Sequence, residues 1–499
     1  MPPSAIDFSD VQGLVRFGYG DLTEACFLLL YIDKPAAARA WLATADVSNA
    51  AEGKATVAMQ IAFTSQGLQA LGVSQRVLVG FSAEFLSGMA GEESRLRRLG
   101  DVGASAPSGW RWGHPGQTPD VLLMLYAKKG GMEARRENLL GALSENGFRL
   151  LDCLNTADLD GYEPFGFRDG ISQPKIDWHC ERTLAGDQLE YGNLLALGEF
   201  LLGYPNEYCE YTDRPLLDVK DDPKGLLLPA EDRPDKRDLG RNGTYLVFRQ
   251  LEQDVRGFWQ FLDKQANSDP EQRRKLGEAM VGRTMLGQSL VPLASRPIPG
   301  VGPKAEDTNL NQFTYESDKT GTNCPFGAHV RRANPRNADL PGGRQGLLSR
   351  LIRTAGFGRK GIRDDLIAST RFHRLLRRGR EYGSELLPED AVRAGKPDGE
   401  KRGIHFICLN ANIARQFEFV QNAWMMDTKF DGLTEESDPL LGNREPVSGC
   451  SFTNTFSLPQ KDAVRRRIAG VPQFVTVRGG AYFFLPSLRA LRYLATLES

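Results

Sequence analysis

Histidine and organised cysteine are what this 499-residue chain has least of. Five histidines (His114, His179, His329, His373 and His405) are the whole supply of imidazole, so any acid–base or metal-ligating role for that ring falls on one of them. The seven cysteines (Cys26, Cys153, Cys180, Cys209, Cys324, Cys408 and Cys450) are scattered, odd in number and never in CxxC or CxxCH spacing. That pattern argues against a disulfide scaffold, a zinc knuckle and covalent c-type haem attachment, and predicts reduced thiols. An excess of either charge is also missing: 62 Lys and Arg face 63 Asp and Glu, so nothing pulls the bulk toward nucleic acid or anionic membrane. The longest apolar runs, such as Ala25–Ile32, are far too short to span a bilayer. The first residues, MPPSAIDFSDVQ, carry no basic, apolar or twin-arginine export pattern, so a cytoplasmic placement is expected.

What remains is an ordinary globular composition, 41% hydrophobic and 25% charged. The length suits two or three domain-sized units or one duplicated unit. Apolar stretches at Glu24–Ile32, Ala55–Phe63, Val121–Ala127 and Phe148–Leu154 read as strands, with helices at Pro35–Ala45 and Met132–Asn146 between them. The order β-α-β-β-α-β is the ferredoxin-like arrangement. It returns later: strands at Gly243–Gln250, Arg371–Arg377, Ile404–Asn410 and Phe474–Leu485, helices at Leu251–Ala266 and Ile413–Met425. The expected fold is α+β, two ferredoxin-like units facing each other through their sheets. The expected divisions are an N-terminal unit over 1–160, a connecting segment over 161–240 and a C-terminal unit over 241–499. Residues 205–240 and 290–370 are long loops, and such loops usually carry function. Residues 384–402 read as a solvated surface insertion.

Three stretches carry chemistry. Gly166-Phe167-Arg168-Asp169-Gly170 puts an acid between glycines, a loop in which backbone can approach a flat ligand. Alone it is also a common turn. His329 lies in CPFGAHVRRANPR, with apolar residues before it and three arginines after it. A haem needs a neutral imidazole on iron and cations for its two propionates. The third stretch, HRLLRRGREYG, places Arg371, His373, Leu375 and Arg377 on one face of a strand and Arg374, Leu376 and Arg378 on the other. An edge strand blunted by charge has the same look.

Taken together and in this order, GFRDGISQP, CPFGAHVRRANPR and LLRRGREYG resemble the dye-decolorizing peroxidase family, and the resemblance runs over about residues 15–490. It implies a dimeric α+β barrel with haem b held between sheet and helices of the C-terminal half. It implies His329 as the proximal iron ligand, Asp169 as the distal acid–base group and Arg377, rather than the adjacent Arg378, as the distal arginine. Gly166 and Gly170 would shape the haem-side loop, and Arg336 would meet a propionate. Glu418, on the late helix, would accept the Nδ1 proton of His329 and raise its donor strength. Gly379 stands where some bacterial members carry asparagine, which fits the longer, insertion-bearing subgroup.

The activity so implied is reduction of hydrogen peroxide with oxidation of dyes, phenols or other small one-electron donors. No nucleic acid or membrane partner is expected, and homo-oligomers are the default. An aspartate base places the activity optimum at about pH 3–5. Tyr382, shortly after Arg377, is the expected radical relay to bulky donors, while Trp259 and Trp424 read as core. A haem- or porphyrin-handling protein, deferrochelatase-like or a tetrapyrrole carrier, is the competing expectation. It would keep His329 but would not need Asp169 and Arg377 together.

Overall fold

The computed structural model describes residues 5–53, 55–180, 194–292, 309–311, 313–336, 370–393 and 399–497. Much of the expected 290–370 loop and part of the 384–402 insertion lie outside the described residues.

The first unit comprises β1 (Glu24–Ile32), α1 (Pro35–Leu42), β2 (Val57–Phe63), β3 (Val121–Ala127), α2 (Met132–Glu145) and β4 (Phe148–Asn155). Its strands lie in the order β4-β1-β3-β2, all antiparallel. The second unit comprises β5 (Thr244–Gln253), α3 (Val255–Gln265), α4 (Pro270–Val281), β6 (Leu376–Arg377), β7 (Arg380–Tyr382), β8 (Gly403–Asn410) and β9 (Val475–Leu485). Its order repeats the first: β9-β5-β8, with β6 and β7 both on β8. The units join where Phe484 of β9 pairs with Phe63 of β2, so nine strands form one sheet.

Strand alternation sorts the apolar side chains into two cores. Cys26, Leu28, Leu30, Ile61, Phe63, Leu123 and Leu125 share one core with Val247, Tyr482 and Phe484, beneath the helices. Phe27, Leu29, Leu122, Met124 and Tyr126 share the other with Leu246, Phe248, Leu409 and Phe483 of the second unit. Phe27 meets Phe248 edge to face, with ring centroids 5.6 Å apart. The two halves of the sheet therefore face each other, as expected, and each fully buried Leu or Phe there contributes about 1.5–3 kcal/mol. At the far edges Ala157 N donates to the Glu381 carbonyl at 2.7 Å. Among the described residues no strand pair closes the sheet into a barrel.

Three expectations need correction. The strand over Arg371–Arg377 is a 3-10 turn at Thr370–His373, and only Leu376–Arg377 pairs with β8. Packing decides this. The His373 ring stacks on Phe419 at 3.6 Å, and its Nδ1 is hydrogen-bonded to the Arg415 carbonyl. The helix over Ile413–Met425 is wound in wide π turns, Ala414–Glu418 and Val420–Met426, with Glu418 N donating to Ile413 O. Helix α4 was not expected. Asp269 caps it by accepting from Glu271 N and Gln272 N, Pro270 starts it, and Gly282 ends it at φ +94°. No helix among the described residues is long and apolar enough to cross a membrane.

Candidate active site

The GFRDG loop is held in shape by its glycines and by a half-buried acid. Gly166 and Gly170 take φ values of +91° and +73°, which favour glycine. The Glu163 carboxylate accepts the Phe165 and Phe167 N–H groups and the side-chain amide of Gln253. Asp169 N donates to the Gly161 carbonyl, and the Asp169 side chain projects to Arg377, whose Nη1 donates to Oδ1 at 2.9 Å.

Arg377 reaches that point because β6 alternates. Leu376 enters the core between the sheets, and Arg377 projects to the opposite face. Its backbone N–H is taken by Gln173 Oε1 at 3.0 Å. The neighbouring Arg378 turns elsewhere, donating from Nε to Leu14 O and from Nη2 to Val15 O. Of the two adjacent arginines, it is Arg377 that meets Asp169. Burial alone would raise the Asp169 carboxyl, but the Arg377 guanidinium and a hydrogen bond from Gly170 outweigh it. They hold the group below the usual aspartate range.

His329 opens the short helix α5 (His329–Ala333). Its Nδ1 lies 3.0 Å from Asp438 Oδ2. Asp438 is fully buried, and its other oxygen accepts the Leu440 and Leu441 N–H groups at 2.9 and 2.8 Å. An aspartate with no proton to give must accept from Nδ1–H, which leaves Nε2 as a lone pair. Burial would lower the His329 pKa, but Asp438 more than offsets it, and the net shift is upward. The charges of Arg377 and Asp169 also act on this imidazole, so it lies near the acid–guanidinium pair. The side chains of His329, Asp169 and Arg377 keep 28%, 35% and 34% of their surface open, so all three line space rather than core.

Glu418 is not the partner of His329. Its Oε1 takes Arg95 Nε at 2.7 Å and the Tyr482 hydroxyl at 2.9 Å, a buried network between the π-helical segment, β9 and the first unit. Arg331 and Arg332 do not serve as propionate cations either. Both are fully buried, and they donate to the carbonyls of Cys324 and of Trp424, Asp427 and Glu436 respectively. Arg336 is buried, stacks over Phe313 at 3.9 Å, and gives Nη1 to the carbonyls of Asn311 and Phe313.

Two further buried guanidinia, Arg283 and Arg374, feel the charge of Arg377. Burial, together with the nearby charges of Arg336 and Arg377, pushes Arg283 down to about 10. Burial and Arg377 push Arg374 down to about 9. A dianionic ligand edge suits such a field.

His373 is neutral, pushed down to about 4 by burial and stacked on Phe419. Tyr382 donates to the Leu251 carbonyl at 3.2 Å and stacks on His405, centroids 4.5 Å apart. Both rings border a cavity of about 470 Å³ with Arg111, Gln250, Glu252 and Arg478. Sequence reasoning missed Asp438, Glu163, Gln173 and Arg283. Gln173 lies within GFRDGISQP but was given no role, no motif marks the other three, and Asp438 stands 109 residues from the imidazole it orients.

Fold and site together define an α+β protein of two ferredoxin-like units whose second unit gathers an imidazole–carboxylate pair and an acid–guanidinium pair. No family model matches the chain. Multifunctional dye peroxidase DyP2 of Amycolatopsis sp. is 29% identical over 510 residues, covering 96% of this chain and 91% of that protein. Dye-decolorizing peroxidase msp1 of Mycetinis scorodonius is 28% identical over 454 residues, covering 87% and 76%. A crystal structure of a variant decolorizing peroxidase from Auricularia auricula-judae matches with a TM-score of 0.71 at 25% identity, over 98% of this chain and 100% of that one. The chain is similar to dye-decolorizing peroxidases along most of its length.

Proposed function

We propose that the chain is a haem b peroxidase that reduces hydrogen peroxide and oxidises dyes, phenols or other one-electron donors. The observation that carries this reading is the pairing of Arg377 with Asp169 within reach of an imidazole whose Nδ1 is committed to Asp438. The residues fit the cofactor. His329 offers Nε2 to iron, and the charges of Arg283, Arg336, Arg374 and Arg377 suit two propionates, Arg336 contributing its field rather than a direct Nη1 bond, since that nitrogen is already given to the Asn311 and Phe313 carbonyls. When bound, haem supplies the electrons that split peroxide and recovers them singly from reducing substrates.

The protein's own part is proton movement and field. Asp169, ionised beside Arg377, takes a proton from one peroxide oxygen and returns it to the departing one, help worth about 10²–10⁴-fold. Arg377 stabilises the charge that gathers on that oxygen and cannot surrender its own proton. Asp438 holds the His329 tautomer and strengthens its donor nitrogen. Tyr382, near the distal residues through Glu381, whose carboxyl feels Asp169, relays electrons from donors too bulky to enter.

Optical and EPR spectra of parent and His329→Ala protein test ligation. Rapid mixing of the red protein with one equivalent of peroxide tests the chemistry, with a spectral change expected within milliseconds to seconds. A carrier would bind haem and show no such change.

A further inference from the structure

Seven scattered thiols give no sign of pairing in the sequence, but the fold brings two of them together. Cys26 on β1 and Cys153 on β4 occupy adjacent antiparallel strands, and their sulfurs lie 3.3 Å apart. Both belong to the helix-covered side of the first unit, where Cys26 is fully buried in the core and Cys153 is half-buried against it. Strand β4 is an edge strand, and Cys153 also borders the 470 Å³ cavity. Of the two residues, Cys153 keeps surface that a small oxidant can reach, whereas Cys26 keeps none.

The charges favour the same division of labour. A hydrogen bond from Cys26 and the nearby Arg136 guanidinium of α2 outweigh burial and Asp152, and hold Cys153 down at about 7. Arg136 is itself placed by its bond to Asn155 Oδ1 at 3.0 Å. The bond to Cys153 and burial push Cys26 far up. The thiolate, which is the nucleophile, therefore sits on the accessible partner.

We propose that Cys26 and Cys153 form a peroxide-oxidisable dithiol, Cys153 attacking and Cys26 resolving. The Cys153 sulfur attacks one oxygen of hydrogen peroxide. The O–O bond breaks, hydroxide leaves and takes up the thiol proton as water, and Cys153 becomes a sulfenic acid. Cys26 sulfur then attacks Cys153 sulfur. The S–S bond forms, the S–O bond breaks, and the second water leaves with the Cys26 proton. Two thiols and one peroxide give one disulfide and two waters. The sulfurs must close by about 1.3 Å from 3.3 Å to bonding distance, within reach of side-chain rotation. The step uses the same oxidant as the proposed peroxidase but needs neither haem nor His329.

The test is thiol mapping on holoprotein. Protein treated with a stoichiometric amount of hydrogen peroxide is quenched, denatured, alkylated, digested and examined by mass spectrometry. The Cys26 and Cys153 peptides are expected joined and released by dithiothreitol, with the other five cysteines alkylated. Dimedone is expected to capture Cys153 as sulfenic acid in Cys26→Ala protein. In Cys153→Ser protein Cys26 is expected to stay reduced. His329→Ala protein is expected to form the same link, which separates this proposal from the peroxidase reading. Full alkylation of both cysteines after peroxide, preferential oxidation of the exposed Cys180 or Cys209, or a link that disappears in His329→Ala protein would each overturn it.

Discussion

Replacing Asp438 by Asn changes one atom's chemistry and should disable the proposed iron ligand, His329. One Asp438 oxygen already accepts two backbone N–H groups, from Leu440 and Leu441, and the other faces His329 Nδ1. An asparagine can satisfy the two backbone donors only with its carbonyl oxygen. Its NH₂ group must then face Nδ1. Two donors cannot meet, so the imidazole moves its proton to Nε2, the nitrogen that would bind iron. The lost charge-assisted hydrogen bond is worth about 1.5–3 kcal/mol, which converts to roughly 10–100-fold in haem affinity or peroxide turnover. Titration of haem into Asp438→Asn apoprotein, followed by the Soret band and EPR, measures the first. Stopped-flow reaction with peroxide measures the second. Parent-like affinity and rate in Asp438→Asn, or a larger loss of haem affinity in Glu418→Gln, would refute the assignment of Asp438 as the residue that orients His329.

The remaining predictions bear on the distal side, the scaffold and electron delivery. Asp169→Asn should bind haem with an unaltered Soret band but react with peroxide about 10²–10⁴-fold more slowly in stopped-flow. Because the Asp169 pKa is depressed, its base form survives as pH falls, and the peroxide rate should drop only below the ordinary aspartate value of about 3.9. A rate already collapsing near neutrality would contradict this. Arg377→Leu should cost roughly 10²–10³-fold and shift the acid limb of the pH–rate profile upward, since the cation that depresses Asp169 is gone. Glu418→Ala leaves the buried Arg95 with only the more exposed Glu92, at 3.4 Å, as an acid and should destabilise the fold by up to about 3–5 kcal/mol, seen as a lower Tm with an unchanged haem spectrum. Tyr382→Phe should slow turnover of large dyes while small phenols react at the parent rate.

The strand framework was legible because it is written in short apolar runs. Val121–Ala127 is buried at all seven positions and needs no partner to be recognised. The repeated β-α-β-β-α-β order then implies the antiparallel strand order found in each unit. Asp169, His329 and Arg377 were legible only as a joint match of three motifs. What stayed hidden depends on contacts between distant segments. Glu418 looked suitable as an acid on the late helix, but Arg95 of the first unit claims it. The arginines after His329 looked like cations for a ligand. Arg331 and Arg332 instead satisfy the backbone carbonyls of Cys324 and of Trp424 in the π-helical segment, and Arg331 also pairs with Asp318, buried demands that composition does not display. The π turns of Ala414–Met426 have the same residue pattern as an α-helix, so periodicity could not separate them.

The two units have diverged into unequal trades. Asp169, His329, Arg377 and Asp438 all follow the first unit in the chain, yet that unit is not idle. It lends the carbonyl of Leu14 to the guanidinium next to Arg377, and Arg95 to the acid on the π-helical segment. Severing the chain near residue 160 would therefore remove a buttress rather than an ornament. Drift on the outer, solvent-facing helices of the first unit should cost the chemistry little, whereas drift at Arg95 or around Leu14 would be felt across the seam.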